Sequence, residues 1–194
     1  IALAGTGVGK SLFMCHVASS VLLQGKNVLY ITLEMAEEKI AERIDANLLN
    51  VPIQQLVELP EMMFENKVTN IAKKTQGTII IKEYPTASAH SGHFKALLNE
   101  LALKKSFKPD IIFIDYLNIC ASSRYRANSN VNSYSYIKAI AEELRGLAVE
   151  TNVPIVSATQ TTRSGFGSSD VDLTDTRESF GLPATADLMF DLIS

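Results

Sequence analysis

The first eleven residues constrain the fold of this chain more than any other stretch. Four small or apolar residues run into a glycine-rich turn that ends in Gly9, Lys10 and Ser11, and an apolar segment of helical character follows. Glycines let successive backbone amides converge on an anion, and the helix that follows points its positive dipole end at the same anion. The pattern therefore predicts a phosphate-binding loop that joins a strand to a helix.

The side chains of this loop predict how a nucleotide is held. We expect Lys10 to contact the outer phosphates and the Ser11 hydroxyl to ligate Mg²⁺, so the predicted cofactors are ATP, or another nucleoside triphosphate, and Mg²⁺. Ala4 stands at the first position of the pattern, where glycine is usual. The alternative is an ordinary strand-to-helix turn followed by chance by lysine and serine. The residues predicted to surround the phosphates are Gly5, Thr6, Gly7, Val8, Gly9, Lys10, Ser11 and Leu12.

The composition indicates one globular domain rather than two. The chain has 194 residues, of which 46% are hydrophobic and 20% are charged, and this length suffices for a substantial core. The net charge of −3 argues against affinity for nucleic acid over the whole surface. Any contact with DNA or RNA therefore requires a local basic patch or several copies of the chain.

Cysteine usage and hydropathy favour a cytoplasmic location. Cys15 and Cys120 form no C-x-x-C pair, which is typical of a reducing compartment. His90 and His93 have no third ligand at metal-binding spacing, so we expect them at the surface. No apolar run reaches membrane-spanning length, so we expect a soluble chain without a membrane partner.

The predicted structure is interrupted at both ends of the sequence. Residues 1–194 are therefore expected to form one ordered core of a longer protein.

Apolar runs of strand length alternate with helical patterns along the chain. Strands are predicted at residues 1–4, 28–33, 78–82, 110–115, 153–159 and 188–193. Helices are predicted at residues 12–18, 35–49, two pieces within 52–75, 92–104 and a long segment around 137–147. This alternation is typical of a mostly parallel, twisted sheet with helices on both faces. In the second piece of 52–75 we expect Met62 and Met63 to take part in helix packing.

The carboxyl ends of parallel strands meet at one edge of the sheet, where ligands bind. The phosphate loop, Glu34, Tyr84, Asp115 and Gln160 all follow strands and are predicted to share this edge.

Three of these side chains suit triphosphate hydrolysis. Asp115 ends an apolar run, and its carboxylate is predicted to hold Mg²⁺ opposite Ser11, although such a residue also serves often as a simple cap. Glu34 is a candidate for polarising the attacking water, the alternative being a favourable charge in the first turn of a helix. Gln160 is a candidate sensor of the γ-phosphate, the alternative being an ordinary polar residue after a strand.

Two polar loops carry arginine and aromatic residues together. Arg124 and Arg126 flank Tyr125, and Arg163 lies close to Phe166 between glycines. Arginine suits backbone phosphates and aromatic rings suit base stacking, so these loops predict binding of single-stranded nucleic acid. The alternative is that both are solvated loops with a few charges.

Taken together, these motifs resemble the ATPase domain of the DnaB-type replicative helicases. The segments that carry the resemblance are residues 4–11, 33–35, 114–117, 160–163, 177–179 and 186–187. They keep the motif order of the family over nearly the whole chain. The second half, residues 140–145 and 181–187, is most similar to the T-even phage members of that family.

The resemblance implies a RecA-like P-loop NTPase core that assembles into a six-membered ring and hydrolyses nucleoside triphosphate at subunit interfaces. It implies translocation on single-stranded DNA, with a primase and a helicase loader as partners, in the bacterial host cytoplasm if the gene is a phage gene. Family roles carry over to Lys10 and Ser11 for phosphate and Mg²⁺, Glu34 for the water, Asp115 for the metal and Gln160 as sensor. Arg124, Arg126 and Arg163 become candidates for the DNA channel.

Other interpretations share part of this pattern. A RecA-like recombinase or another RecA-type ATPase has the loop and Asp115 without unwinding activity, and a small-molecule kinase has the loop alone.

The arginine finger and the family's last DNA-binding segment are expected beyond Ser194. The second polar loop also carries Asp170, Asp172 and Asp175, which lowers its expected affinity for phosphate.

Overall fold

Six parallel strands form one sheet in the computed structural model, which describes residues 1–56, 58–73, 75–125, 131–160 and 181–193. The strands are β1 (Ala2–Ala4), β2 (Val28–Thr32), β3 (Ile79–Glu83), β4 (Ile111–Asp115), β5 (Ile155–Gln160) and β6 (Phe190–Leu192). The helices are α1 (Lys10–Leu23), α2 (Glu37–Leu49), α3 (Ile53–Leu56), α4 (Glu61–Ala72), α5 (Ser91–Lys105), α6 (Ser133–Thr151) and α7 (Gly181–Thr185). A 3-10 turn at Leu117–Ile119 follows β4. The predicted α/β architecture is confirmed.

The order of the strands in the sheet decides which strand ends are neighbours. The order is β3-β2-β4-β5-β1-β6, and every pairing is parallel. Because β4, β5 and β1 are adjacent, the residues that follow them lie side by side at the carboxyl edge. The phosphate loop, Asp115 and Gln160 are thereby brought together, with the end of β2 next to β4.

The core lies on both faces of the sheet. One face packs against α1 and α2 and includes Tyr30 and Phe113, and the other packs against α5 and α6 and includes Leu29 and Ile31. All five residues of β2 are buried because helices cover the strand on both sides. None of the helices in the described residues combines the length and apolar character needed to cross a bilayer.

The start of α2 differs from its prediction for a local reason. The helix begins at Glu37 rather than at residue 35, after Ala36 in an extended conformation. Before it, the hydroxyl of Thr32 accepts a hydrogen bond from the backbone amide of Met35 at 3.1 Å. This turn satisfies the amide of Met35 outside the helix and leaves Glu34 between the strand and the helix.

The prediction that Met62 and Met63 take part in helix packing is wrong. Their side chains are 72% and 50% exposed, and α4 contains no buried residue. α4 contacts α2, where Lys67 donates to the carbonyl of Leu49 at 3.3 Å, but Met62 and Met63 lie on the side of α4 that faces solvent.

Candidate nucleotide site

The glycine-rich turn has the backbone geometry of a phosphate-binding loop. Gly7 and Gly9 have φ values of 79° and 106°, a region that residues with a Cβ rarely adopt. Gly9 is the N-cap of α1, and the backbone amide of Phe13 donates to its carbonyl at 2.9 Å. No side chain caps α1, and its first turn contains no acidic residue. The first amides of α1 are therefore left for an anion, which the helix dipole favours.

Lys10 lies back along this loop. Its ammonium nitrogen is 3.4 Å from the carbonyl oxygen of Gly5 and 5.4 Å from the centre of the Tyr116 ring. Because Tyr116 directly follows β4, Lys10 lies between the phosphate loop and the carboxyl end of β4.

Asp115 is the buried carboxylate of the site. It has no exposed surface, and its Oδ2 accepts a hydrogen bond from the hydroxyl of Tyr30 at 2.9 Å. Its Oδ1 is also buried, with no hydrogen-bond partner among the described residues. A buried carboxylate oxygen without a donor is costly, and a cation would compensate it.

The donor set fits Mg²⁺. This ion is usually held by one or two carboxylates and by substrate phosphates, and α1, which carries the hydroxyl of Ser11, packs against β4, which carries Asp115. Among the described residues no cluster of three or more histidine, cysteine, aspartate or glutamate side chains is present. A site completed by phosphate and water is the kind that Mg²⁺ prefers.

Glu34 is held by its neighbours at the end of β2. The amide of Leu33 donates to the carbonyl of Asp115 at 2.9 Å, and the Thr86 hydroxyl donates to the Leu33 carbonyl at 2.7 Å. The Glu34 side chain is exposed. The pKa of Tyr116 is raised by burial, and further by the charges of Glu34 and Asp115.

Gln160 connects β5 to the phosphate loop. Its amide nitrogen donates to the hydroxyl of Thr6, and its Oε1 lies 3.5 Å from the hydroxyl of Tyr116. Tyr116 thus contacts both Gln160 and Lys10. The sequence indicates a place for Tyr116 in the site only through its position directly after Asp115. Tyr84 follows β3 at the same edge, but its ring packs against Phe94 of α5.

Among the arginines predicted to bind nucleic acid, the structure describes Arg124. It follows β4, and its guanidinium forms an ion pair with Glu142 of α6, which raises the pKa of Arg124. The neighbouring Glu143 accepts hydrogen bonds from the hydroxyl of Ser122 at 2.6 Å and from the amide of Ser123. Arg124 is therefore held against α6. Arg126 and Arg163 lie outside the described residues.

Comparison with known proteins identifies the family. Residues 1–193 match the family described as DnaB-like helicase C terminal domain. The DnaB-like replicative helicase of Enterobacteria phage T4 is 48% identical over 196 residues, an alignment that covers 100% of this chain and 41% of that protein. A probable plasmid replicative DNA helicase of Chlamydia psittaci is 31% identical, over 97% of this chain and 41% of that protein. The chain thus spans about two fifths of the length of these relatives.

Solved structures show the same fold. One of them, described as an ATPase domain, superimposes with a TM-score of 0.78 at 20% identity, over 100% of this chain and 68% of that one. A DnaB-like replicative helicase, solved in a study of its interactions with primase, superimposes with a TM-score of 0.75 over 97% of this chain and 45% of that one. The predicted RecA-like fold and the resemblance to the DnaB type are confirmed. The chain belongs to the family of DnaB-like helicase C-terminal domains.

Proposed function

We propose that this chain is the ATP-hydrolysing motor domain of a hexameric replicative DNA helicase that translocates on single-stranded DNA. The observation that carries the proposal is the orphaned buried oxygen of Asp115 beside an uncapped glycine-rich helix start. Gln160 joins that loop to the end of β5. The family assignment and the 48% identity to a phage replicative helicase support it.

In the proposed reaction the loop amides and Lys10 bind the phosphates. When Mg²⁺ is bound with the nucleotide it neutralises charge on the phosphate oxygens, and Ser11 and Asp115 are the residues that would hold it. Lys10 exchanges its contact with the Gly5 carbonyl for the outer phosphates. Its positive charge there stabilises the charge that develops as the terminal phosphate leaves.

Glu34 orients the attacking water and accepts its proton. The side chain is exposed at the site edge, and the turn around Thr32 together with the Thr86 contact fixes its backbone. A carboxylate on an anchored strand end is suited to this task because its position changes little between turnovers. Gln160 senses the γ-phosphate next to Thr6 and passes the signal into the residues after β5.

The proposed partners are single-stranded DNA and further copies of the same protein in a hexamer. A primase is a proposed partner because a structurally similar DnaB-like helicase was solved with reference to its interactions with primase. A helicase loader completes the proposed set. The proposed place of action is the bacterial cytoplasm, and the proposed direction of translocation is 5′ to 3′.

The deciding experiment uses the full-length protein, ATP and Mg²⁺. We expect single-stranded DNA to stimulate ATP hydrolysis and a forked duplex to be unwound. Lys10→Ala should abolish both activities, while Lys105→Ala, an exposed lysine at the end of α5, should leave both unchanged. Hydrolysis without unwinding would instead support a recombinase-type ATPase, and phosphate transfer to a metabolite without a DNA effect would support a kinase.

A further inference from the structure

Three buried polar side chains, on α1, β2 and β4, contact one another in sequence. The thiol of Cys15 is 3.8 Å from the hydroxyl oxygen of Tyr30, and that hydroxyl donates to Oδ2 of Asp115 at 2.9 Å. All three residues have no exposed surface. Tyr30 is otherwise an apolar core residue of β2, so its hydroxyl needs a polar partner, and Asp115 supplies it.

The position of this hydroxyl is determined by the sheet. Tyr30 is the register partner of Phe113 in the β2 and β4 pairing, and their rings stack at 5.7 Å with an interplanar angle of 13°. Asp115 lies two residues beyond Phe113 on the same strand, hence on the same face. The tyrosine ring can therefore shift little without disturbing the stack.

The two oxygens of Asp115 are consequently not equivalent. Oδ2 accepts the hydrogen bond from Tyr30, and Oδ1 has no hydrogen-bond partner among the described residues. A carboxylate held at one oxygen cannot rotate freely about its last bond, so the other oxygen keeps one direction. Burial raises the pKa of Tyr30, and the charge of Asp115 raises it further, so this hydroxyl remains protonated and continues to donate.

We infer that Tyr30 is a positioning residue for magnesium, which fixes Asp115 through Oδ2 and leaves Oδ1 to serve the ion of the bound nucleotide. This inference depends on the proposed function, since it assumes that Asp115 is the metal-side acid. Tyr30 itself contacts neither nucleotide nor metal. It acts by holding the carboxylate, as hydrogen bonds behind a metal ligand do in other metal sites.

The test measures magnesium binding rather than turnover. The full-length protein is titrated with a fluorescent ADP analogue in EDTA, and then with MgCl₂ at fixed analogue. For Tyr30→Phe we expect the affinity in EDTA to match the parent within about twofold, and the Mg²⁺ midpoint to rise roughly tenfold to a hundredfold, as for the loss of a hydrogen bond behind a metal ligand. Tyr136→Phe removes a hydroxyl near Ser122 of the loop after β4 and should keep the parental midpoint. Cys15→Ala, which leaves the Tyr30 to Asp115 bond in place, should do the same.

Each outcome separates the inference from the proposed function. Equal Mg²⁺ midpoints for the parent and Tyr30→Phe would overturn the inference alone. A parent whose analogue binding does not respond to Mg²⁺ would overturn the proposed function and the inference with it.

A second measurement covers the case in which Tyr30→Phe does not fold. In parent protein labelled at the tyrosine Cζ carbons, we expect one resonance to move when Mg²⁺ is added to the ADP complex and to stay in place in Asp115→Asn. If Mg²⁺ moves no tyrosine signal in a parent that binds magnesium and ADP, the inference is wrong.

Discussion

The side-chain amide of Gln160 donates a hydrogen bond to the hydroxyl of Thr6, which ties the last residue of β5 to the phosphate loop. The hydroxyl of Tyr116 lies 3.5 Å from the other end of the same amide. Gln160 is thus placed between the loop that would hold the phosphates and the residue that follows Asp115. A displacement of the loop on nucleotide binding would reach the end of β5 through this contact.

The first prediction concerns the loop side of that contact. Thr6→Val keeps the branched shape of the side chain but removes the hydroxyl that Gln160 contacts. We expect nucleotide affinity to stay within about threefold, while DNA stimulation of ATP hydrolysis falls roughly tenfold, the effect of losing one hydrogen bond of about 1 to 1.5 kcal/mol. Steady-state hydrolysis with and without single-stranded DNA measures this.

The matched control for Thr6→Val is Thr151→Val, since the Thr151 hydroxyl donates to the carbonyl of Leu147 at the end of α6, away from the loop. This variant should behave like the parent. An unchanged DNA stimulation in Thr6→Val would show that Gln160 does not act through the loop.

The second prediction concerns the two histidines that begin α5. Nδ1 of His90 accepts from the amide of Gly92 at 3.0 Å, and Nδ1 of His93 accepts from the amide of His90 at 3.2 Å. Their spacing predicts only a surface location, and the structure adds a capping role. A ring nitrogen that carries a proton cannot accept, so the cap requires neutral rings.

The pH dependence of the cap follows from the direction in which folding shifts the pKa of His90. Burial lowers the pKa of His90, the charge of His93 lowers it further, and Glu143 opposes the shift. The stabilising contribution is therefore complete above the unfolded pKa of about 6.5 and is lost as pH falls through the lower folded value. Urea unfolding should show a free energy of unfolding that declines below a pH of about 6.5. His90→Asn, an N-cap that does not titrate, should lessen that decline, and equal slopes in both proteins would contradict the assignment.

Much of the fold could be predicted from local patterns, whereas the neighbours within the sheet could not. Apolar runs mark strands that are buried on both faces, and the glycine-rich turn marks the phosphate loop. These local patterns do not predict that β4 lies next to β5, or that β5 lies next to β1. That order depends on long-range packing, and it is what places Asp115 and Gln160 at the edge of the sheet that carries the phosphate loop.

The site residues that the patterns left out share one property. Tyr30 lies in the middle of an apolar strand and Tyr116 beside an obvious acid, so each reads as ordinary core or loop material. Their roles depend on the position of one hydroxyl group in the folded chain, and spacing along the sequence does not predict that position. Thr32, whose hydroxyl shapes the turn that presents Glu34, is a further example.

The third prediction uses the exposed methionines of α4. An apolar spacing describes a helix face but does not show that another element covers it. Met62 is 72% exposed, whereas Met14 of α1 has no exposed surface. Met62→Ala should therefore change the free energy of unfolding by less than about 0.5 kcal/mol. Met14→Ala, the same substitution in the core, should cost about 2 to 5 kcal/mol. A large loss for Met62→Ala in dilute full-length protein would mean that the Met62 side chain is covered after all.

The last prediction concerns the ion pair between Arg124 and Glu142, which occupies the guanidinium with a carboxylate of the same chain. Glu142 also lies 3.9 Å from the ammonium of Lys138, so its removal leaves two cations without their acid. In Glu142→Gln we expect single-stranded DNA to bind roughly threefold to tenfold more tightly at low salt. Each additional phosphate contact should steepen the dependence of log affinity on log salt by about 0.7.

The control for Glu142→Gln must change the net charge equally. Glu100→Gln does so on α5, where Glu100 pairs with Lys104 at 2.8 Å. Both pairs are exposed, so neither variant is expected to change the free energy of unfolding measurably. Affinity is measured by fluorescence anisotropy of a labelled oligonucleotide over a series of salt concentrations. If both variants tighten binding equally, the effect comes from net charge, and Arg124 has no particular part in holding DNA; if Glu142→Gln alone tightens it, the guanidinium released from α6 is a DNA contact.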